Sequence, residues 1–450
     1  MNTYESYLNT AEAVWYSEIP MSWKSLKMRE LFSERRTKVS DRDYAALSVG
    51  KMGVVPQLET AVKTDNGDNR KLICVGDFAI NSRSDRKGAG GISEYAGSCS
   101  LIITVLKPNN ELNGRFYHYL LRSHYFSEEF YRNGFGIVSD LWTTKWKTMR
   151  NIYLPVPPRS EQDQIVRFLD WKVSNINGLI STKRKQIALL HERLSVHISK
   201  VVTHGLNEKV HTKDSEVEWI GDVPKHWNTI RCKYLFSERD ERSAEGLEQH
   251  LSMSQKYGLV PDSQLDERRM LSESYKGGKL CYENDLVLNR LKAHLGVFAL
   301  SPQLGVISPD YTVLMPNTSR IMPAFAETVL KSERCRRELR IRVRGIVEGF
   351  WRLYTDDFNT IVLPVPPIEE QKEIMEHINA FKESSKKYED ILTQEITALQ
   401  ELKTRIISDV VTGKIDVRSF EIPDYEYVAD ETDADSDEDA DVEETDEQEE

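Results

Sequence analysis

Few groups in this chain sit at spacings that could do covalent or metal chemistry. Gly50-Lys51, Gly278-Lys279 and Gly413-Lys414 are followed by Met, Leu and Ile. A phosphate loop needs a hydroxyl there to hold Mg2+, with further glycines upstream, and neither is present. Lys87-Gly-Ala-Gly-Gly91 does not follow a buried strand as a dinucleotide fold requires, so it reads as a flexible turn. His191 and His197 lie six apart, on different faces of a helix, and read as solvated or seam histidines rather than metal ligands. Pro261-Asp262 with Glu267-Arg-Arg269 approximates nuclease carboxylate spacing but is one charged cluster among many. Glu401 and Lys403 read as a solvated pair, and no Asn-Pro-Pro-Phe-type amino-methyltransferase motif occurs. The expectation is a chain with no catalytic, cofactor-binding or metal site of its own.

The organisation is more telling than the chemistry. Trp15-Tyr-Ser-Glu-Ile-Pro20-Met-Ser-Trp23 is echoed by Trp219-Ile-Gly-Asp-Val-Pro224-Lys-His-Trp227, and Leu31-Phe-Ser-Glu-Arg35 by Leu235-Phe-Ser-Glu-Arg239. Leu154-Pro-Val-Pro-Pro158 recurs as Leu363-Pro-Val-Pro-Pro367, and Glu161-Gln162 as Glu370-Gln371. A repeated frame with unlike inserts presents two different surfaces in one geometry. After each Pro-Pro pair, apolar residues recur at three- and four-residue steps, predicting helices over 159–204 and 368–411. Each would run about 65 Å, and stripes of that length bury against each other as a coiled coil. Like halves in one chain favour an antiparallel pairing. Gly205 and Gly413 suit the helix stops, and Gly178 marks a candidate bend.

The inserts, roughly 24–150 and 228–360, alternate short β-rich runs with Gly and Asn turns, followed by helical stretches at about 113–132 and 320–340. Matches inside them (Asp77 with Asp285, Asn81 with Asn289, Trp142 with Trp351) predict one shared mixed α/β fold. For both tryptophans core packing is favoured over base stacking.

The 450 residues carry 60 Lys or Arg against 72 Asp or Glu, a formal charge of −12, with 39% hydrophobic residues. From Asp424 onward there are 16 acidic residues and no basic one, so residues 1–423 are mildly basic at +4. That acidic stretch has too little apolar surface to fold and reads as a disordered extension; solubilising is the favoured role, competition with DNA for basic surface the alternative. Five scattered cysteines fit a reducing compartment, and the polar start and lack of a long apolar run predict a cytoplasmic protein.

The paired motifs, each tied to its own long helix and divergent insert, resemble the specificity (S) subunits of type I restriction–modification enzymes over residues 1–418. The resemblance implies an α+β chain. Two mixed α/β target recognition domains would stand in a pseudo-two-fold arrangement, separated by two long helices packed as an antiparallel coiled coil. The expected segments are a first recognition domain (1–153), a central repeat with its long helix (154–206), a linker and second recognition domain (207–362), a C-terminal repeat with its helix (363–418) and the acidic tail (419–450). The resemblance further implies double-stranded DNA as ligand, each domain reading one half of a split site. It implies two modification (methyltransferase) subunits carrying S-adenosylmethionine, and restriction subunits carrying ATP hydrolysis with its Mg2+; none of these cofactors would bind this chain.

On that reading the candidate DNA contacts are basic and polar loops, since Arg and Lys reach phosphates and guanine edges and Asn pairs with adenine. In the first insert these are Arg35, Arg36, Lys38, Asn81, Arg83, Arg86, Lys87, Lys145 and Lys147. In the second they are Arg239, Arg242, Arg268, Arg269, Asn289, Arg290, Lys292, Arg342 and Arg344. The matched Asn81 and Asn289 loops rank first. A coiled-coil scaffold with protein-binding inserts is the alternative. It would explain the repeat, but not the basic body or these loops.

Overall fold

The computed structural model describes residues 3–57, 67–83, 88–109, 112–136, 142–254, 257–264, 275–345 and 351–430. The chain divides into two compact units, Met1–Lys185 with Leu392–Glu450, and Gln186–Ile391. Each unit therefore holds one insert, part of the helix that follows it, and part of the other long helix.

The long helices run Arg159–His204 and Ile368–Val411, at the bounds the apolar periodicity predicts. The first passes through Gly178 unbroken. In the first unit Lys183 pairs with Glu395 at 2.5 Å and Lys403 reaches Asn177 at 3.3 Å. In the second unit His191 meets Glu389 at 3.2 Å and His197 meets His377 at 2.9 Å. Rising numbers on one helix meet falling numbers on the other, so the pairing is antiparallel. His191 and His197 both lie at this seam, and no cluster of three or more metal-ligating side chains occurs among the described residues.

Each insert is built on a four-stranded antiparallel sheet of the same order. In the first unit it runs Gly90–Ile92, Phe78–Asn81, Ile103–Pro108, Phe32–Glu34; in the second, Phe298–Leu300, Leu286–Asn289, Tyr311–Pro316, Phe236–Arg239. The register repeats too, with Asn81 opposite Ile103 and Asn289 opposite Tyr311. Gly90 and Gly91 lie in the first sheet, correcting the expectation of a flexible turn for the described part of that segment. A Cβ at Gly90 would sit 2.7 Å from the Ala79 carbonyl oxygen, so only glycine allows this strand approach.

The two long stretches expected to be helical are each two helices, Gly114–Arg122 with His124–Arg132, and Pro323–Lys331 with Glu333–Arg342. Ser123 and Ser332 make the breaks. Each hydroxyl donates to the carbonyl of the helix just ended (Leu120, Val329) and accepts from the first turn of the next (Phe126, Cys335).

The repeated motifs are the joints of this frame. Leu154-Pro-Val156 pairs as a strand with Lys24–Lys27, and Leu363-Pro-Val365 with Asn228–Arg231. Pro-Pro then ends the strand and the long helix begins. The glutamine that follows is buried in both copies. Gln162 donates to Pro157 O at 2.9 Å and accepts from Asn113 N at 3.0 Å; Gln371 donates to Pro366 O at 2.8 Å and accepts from Met322 N at 2.7 Å. One side chain thus ties strand exit, helix start and the insert's own first helix.

Trp227 is fully buried and donates to Glu370 at 3.0 Å, and Trp23 is equally enclosed. Gly205 and Gly413, at φ +75° and +78°, end the helices against these motifs. A Cβ at Gly413 would lie 2.4 Å from Pro20. The apolar cores follow the same plan. Ile165, Phe168, Leu169 and Val410 join the first insert's core, and Val201, Val202, Ile374 and Ile378 the second's.

Candidate nucleic-acid interface

Arg35 and Arg239 point inward. Arg35 grips Asp77 through two bonds of 2.6 and 3.0 Å, and Arg239 grips Asp285 at 2.8 and 3.4 Å. Both carboxylates are almost fully buried and also accept a backbone N–H, from Cys74 and Tyr282 respectively. These matched arginines close a strand to its neighbouring turn, and their guanidinium faces are spent on that clamp.

Asn81 and Asn289 share a second device. Each side-chain oxygen accepts the backbone N–H two residues on, from Arg83 at 3.0 Å and Leu291 at 3.1 Å. These are Asx turns that launch the loop at the end of a central strand. Asn81 is buried, whereas Asn289 is half-exposed.

Each loop is then stitched to the segment after the matched tryptophan: Thr144 N donates to Ser82 O at 2.8 Å, and Leu353 N to Arg290 O at 3.0 Å. The structure thereby brings Lys145 and Lys147, both exposed, beside the Asn81–Arg83 loop, and Arg344 beside Asn289–Lys292 through its bridge to Arg352. It also equates Ser82 with Arg290 as the first loop residue, so the two loops differ in charge at the same place in the frame.

The second loop and its surroundings hold unpartnered polar atoms. Among the described residues, Arg290 Nε, His294 Nδ1 and Arg336 Nε are buried without a hydrogen-bond partner. Burial, with Arg340 nearby, holds the His294 ring below its ordinary pKa and so neutral near pH 7. Trp351 lies edge-on to His294 at 5.7 Å and is 37% exposed, correcting the expectation that it is a core residue. Trp142 is half-buried and donates to Tyr131 O at 2.9 Å. His294 and Arg336 reach this neighbourhood from positions that share no motif with Arg290, so spacing gave no signal for them.

Of the remaining candidates, Arg36, Lys38, Arg242 and Arg342 lie outside these loops. Arg36 pairs with Glu34 at 2.6 Å and is largely exposed, and Lys38 is exposed on a short edge strand. Arg242 is held by Asp240 at 3.3 Å and Gly277 O at 3.1 Å. Arg342 is engaged by Glu338 and Thr360, and Arg344 is paired with Asp357. Lys292 is exposed. Arg86, Lys87, Arg268 and Arg269 lie outside the described residues, as do Glu267 and the acidic stretch from residue 431. Asp262, considered as a nuclease carboxylate, is bound to His250. Lys403, expected to be solvated, is instead mostly buried against Asn177 and Asp430.

Comparison with known proteins fits this geometry. Residues 23–189 match the family model of the type I restriction modification DNA specificity domain. The chain is 21% identical over 435 residues to a putative type I restriction enzyme MjaX specificity subunit from Methanocaldococcus jannaschii, covering 89% of this chain and 96% of the relative. It is 25% identical over 293 residues to the MjaVIII specificity subunit of the same organism, covering 61% of this chain and 64% of that one. A solved chain from work on complex assembly and conformational transition of the type I R-M system shares the fold, with a TM-score of 0.61 at 13% identity over 88% of this chain and 99% of that one. The fold is a doubled frame that carries two inserts. Residues 23–189 thus match a type I restriction–modification specificity domain, and the chain is similar over most of its length to a putative specificity subunit of that class. No described helix is long and apolar enough to cross a membrane.

Proposed function

We infer that this chain is the DNA-reading subunit of a type I restriction–modification complex, each insert reading one half of a bipartite duplex site. The observation that carries the reading is the pair of loops launched by Asn81 and Asn289. One fold, one register and one Asx turn present Ser82-Arg83 in one unit and Arg290-Leu291 in the other. A common frame bearing unlike polar loops is what two unlike half-sites require. Within the second loop, Arg290, Lys292 and Trp351, backed by His294 and Arg336, form the base- and phosphate-contacting set. Lys145 and Lys147 beside Arg83 do so in the first.

Catalysis belongs to partners that dock on the chain: modification subunits binding S-adenosylmethionine and restriction subunits using ATP and Mg2+. The paired long helices offer them a stiff mount.

The test is the methylation motif of the assembled complex. Arg290→Ala should relax one half-site by about 1–3 kcal/mol and leave the other unchanged. An unaltered motif with unaltered affinity rejects the assignment. Binding that ignores salt would favour inserts that bind protein, because release of phosphate counterions makes DNA binding fall steeply with ionic strength.

A further inference from the structure

The helix that follows the serine break is opposite in sign of charge in the two units. His124–Arg132 holds one arginine and two glutamates, whereas Glu333–Arg342 holds five arginines and two glutamates. Arg337 pairs with Glu333 and Arg342 with Glu338, which spends both carboxylates. Arg334, Arg336 and Arg340 have no ion-pair partner among the described residues.

Arg336 and Arg340 stand four apart, on one side of that helix. Both border the turn that follows the Asn289 loop. Ala293–Leu295 forms a 3-10 turn that starts from Lys292 and ends on Gly296 at φ +82°, and a Cβ at Gly296 would lie 3.0 Å from Arg336 Cδ. His294 lies on the same turn; burial, and after it the nearby Arg340 charge, lower its pKa.

The first unit builds the same place differently. Its glycine is Gly88, at φ +76°, and a Cβ there would lie 3.8 Å from Ser127 Oγ. Ser127 stands 209 residues before Arg336, and Tyr131 stands 209 before Arg340 with its ring packed on Trp142, centroids 5.7 Å apart. A hydroxyl and a ring in one frame are thus two guanidinium groups in the other. Like charges four apart on a helix repel, and an anion lying across both relieves that cost. A guanidinium pairs two of its N–H groups with one phosphate and needs no particular base to do so.

We propose that Arg336 and Arg340 form a phosphate grip by which the second unit holds duplex DNA irrespective of sequence, a grip that the matched helix of the first unit lacks. This rests on the DNA-reading function proposed above and divides it: Arg290 discriminates bases, and the helix supplies hold without discrimination. Loss of the grip weakens cognate and non-cognate DNA alike.

The experiment follows duplex affinity of the assembled complex from about 50 to 300 mM salt for the unmodified chain, for Arg336→Gln with Arg340→Gln, and for Arg336→Lys with Arg340→Lys. The Gln pair should lower the slope of log K on log[salt] by about 2. It should weaken cognate and non-cognate duplexes by the same factor, roughly tenfold at about 100 mM salt, with the methylation motif unchanged. The Lys pair keeps both charges and should restore most of the slope. Should the Gln pair fail to fold, Arg340→Gln alone, at an exposed position, should lower the slope by about 1. A slope that stays as in the unmodified chain, or a folded Lys pair as weak as the Gln pair, overturns the proposal. A changed motif overturns it too, by making these arginines base readers. If the unmodified complex binds no DNA at any salt, the DNA-reading function itself fails.

Discussion

The two units differ least where they are most polar inside and most where their loops face out. Arg35–Asp77 and Arg239–Asp285, Gln162 and Gln371, Ser123 and Ser332, Asn81 and Asn289 are matched residues, and every one is bonded to its own fold. The unmatched pairs, Ser82 with Arg290 and Ser127 with Arg336, are where one unit does something the other does not. A polar residue repeated in two heads that read different sequences is there for the frame. Recognition has to come from positions that were free to diverge. This reverses the weight that repetition alone gives to the arginines of Phe-Ser-Glu-Arg.

The clamps give the sharpest way to break that comparison. Asp77→Ala strands the Arg35 guanidinium and should cost about 3 kcal/mol, read as a drop in chemical-denaturation midpoint; Asp285→Ala should cost less, because Arg239 keeps Glu241 at 2.9 Å. If they are frame, both variants lose stability, and the recognised DNA sequence of whatever remains folded is unchanged. A loss of DNA affinity with stability intact would instead return Arg35 or Arg239 to the interface.

The glutamine joints come next. Gln162→Ala and Gln371→Ala leave a buried amide N–H and a proline carbonyl unpaired, at about 1–3 kcal/mol each by thermal unfolding. Matched costs support one shared frame. A cost confined to one copy would show that the units close differently.

Much of the frame was legible because it depends on local periodicity and on repeated residues with fixed physical roles. The 159–204 and 368–411 helices follow from one apolar stripe each, and the Trp and Pro-Pro motifs mark their ends. The breaks at Ser123 and Ser332 were missed because the apolar pattern runs through them and only the cap chemistry stops it. Gly90 and Gly91 read as a turn because glycine signals freedom in sequence, whereas here it permits a close strand approach. The site was least legible. Arg290, His294, Arg336 and Trp351 come from a loop, a short 3-10 turn, a helix and a separate segment, joined only by tertiary packing.

The smallest effect at neutral pH, and the cleanest separation of the units, lies at His118, whose counterpart 209 residues on is Glu327. Burial pushes the His118 ring down to about 3, with Arg122 and Arg115 adding to the shift, and Arg122 Nη1 stands 2.8 Å from its Nε2. The folded chain keeps this ring neutral, while the unfolded chain protonates it near the ordinary value of about 6.5. Protons therefore favour the unfolded state, and stability contributed above pH 6.5 is lost as pH falls from about 6.5 towards 3. His118→Gln should change little at pH 7 and flatten the fall in unfolding free energy between about pH 6.5 and 4.5, where most carboxylates are still ionised. The second unit has at that place Glu327, ion-paired with Lys331 at 2.6 Å. An unchanged pH profile in the His118 variant would mean the ring is protonated in the folded chain.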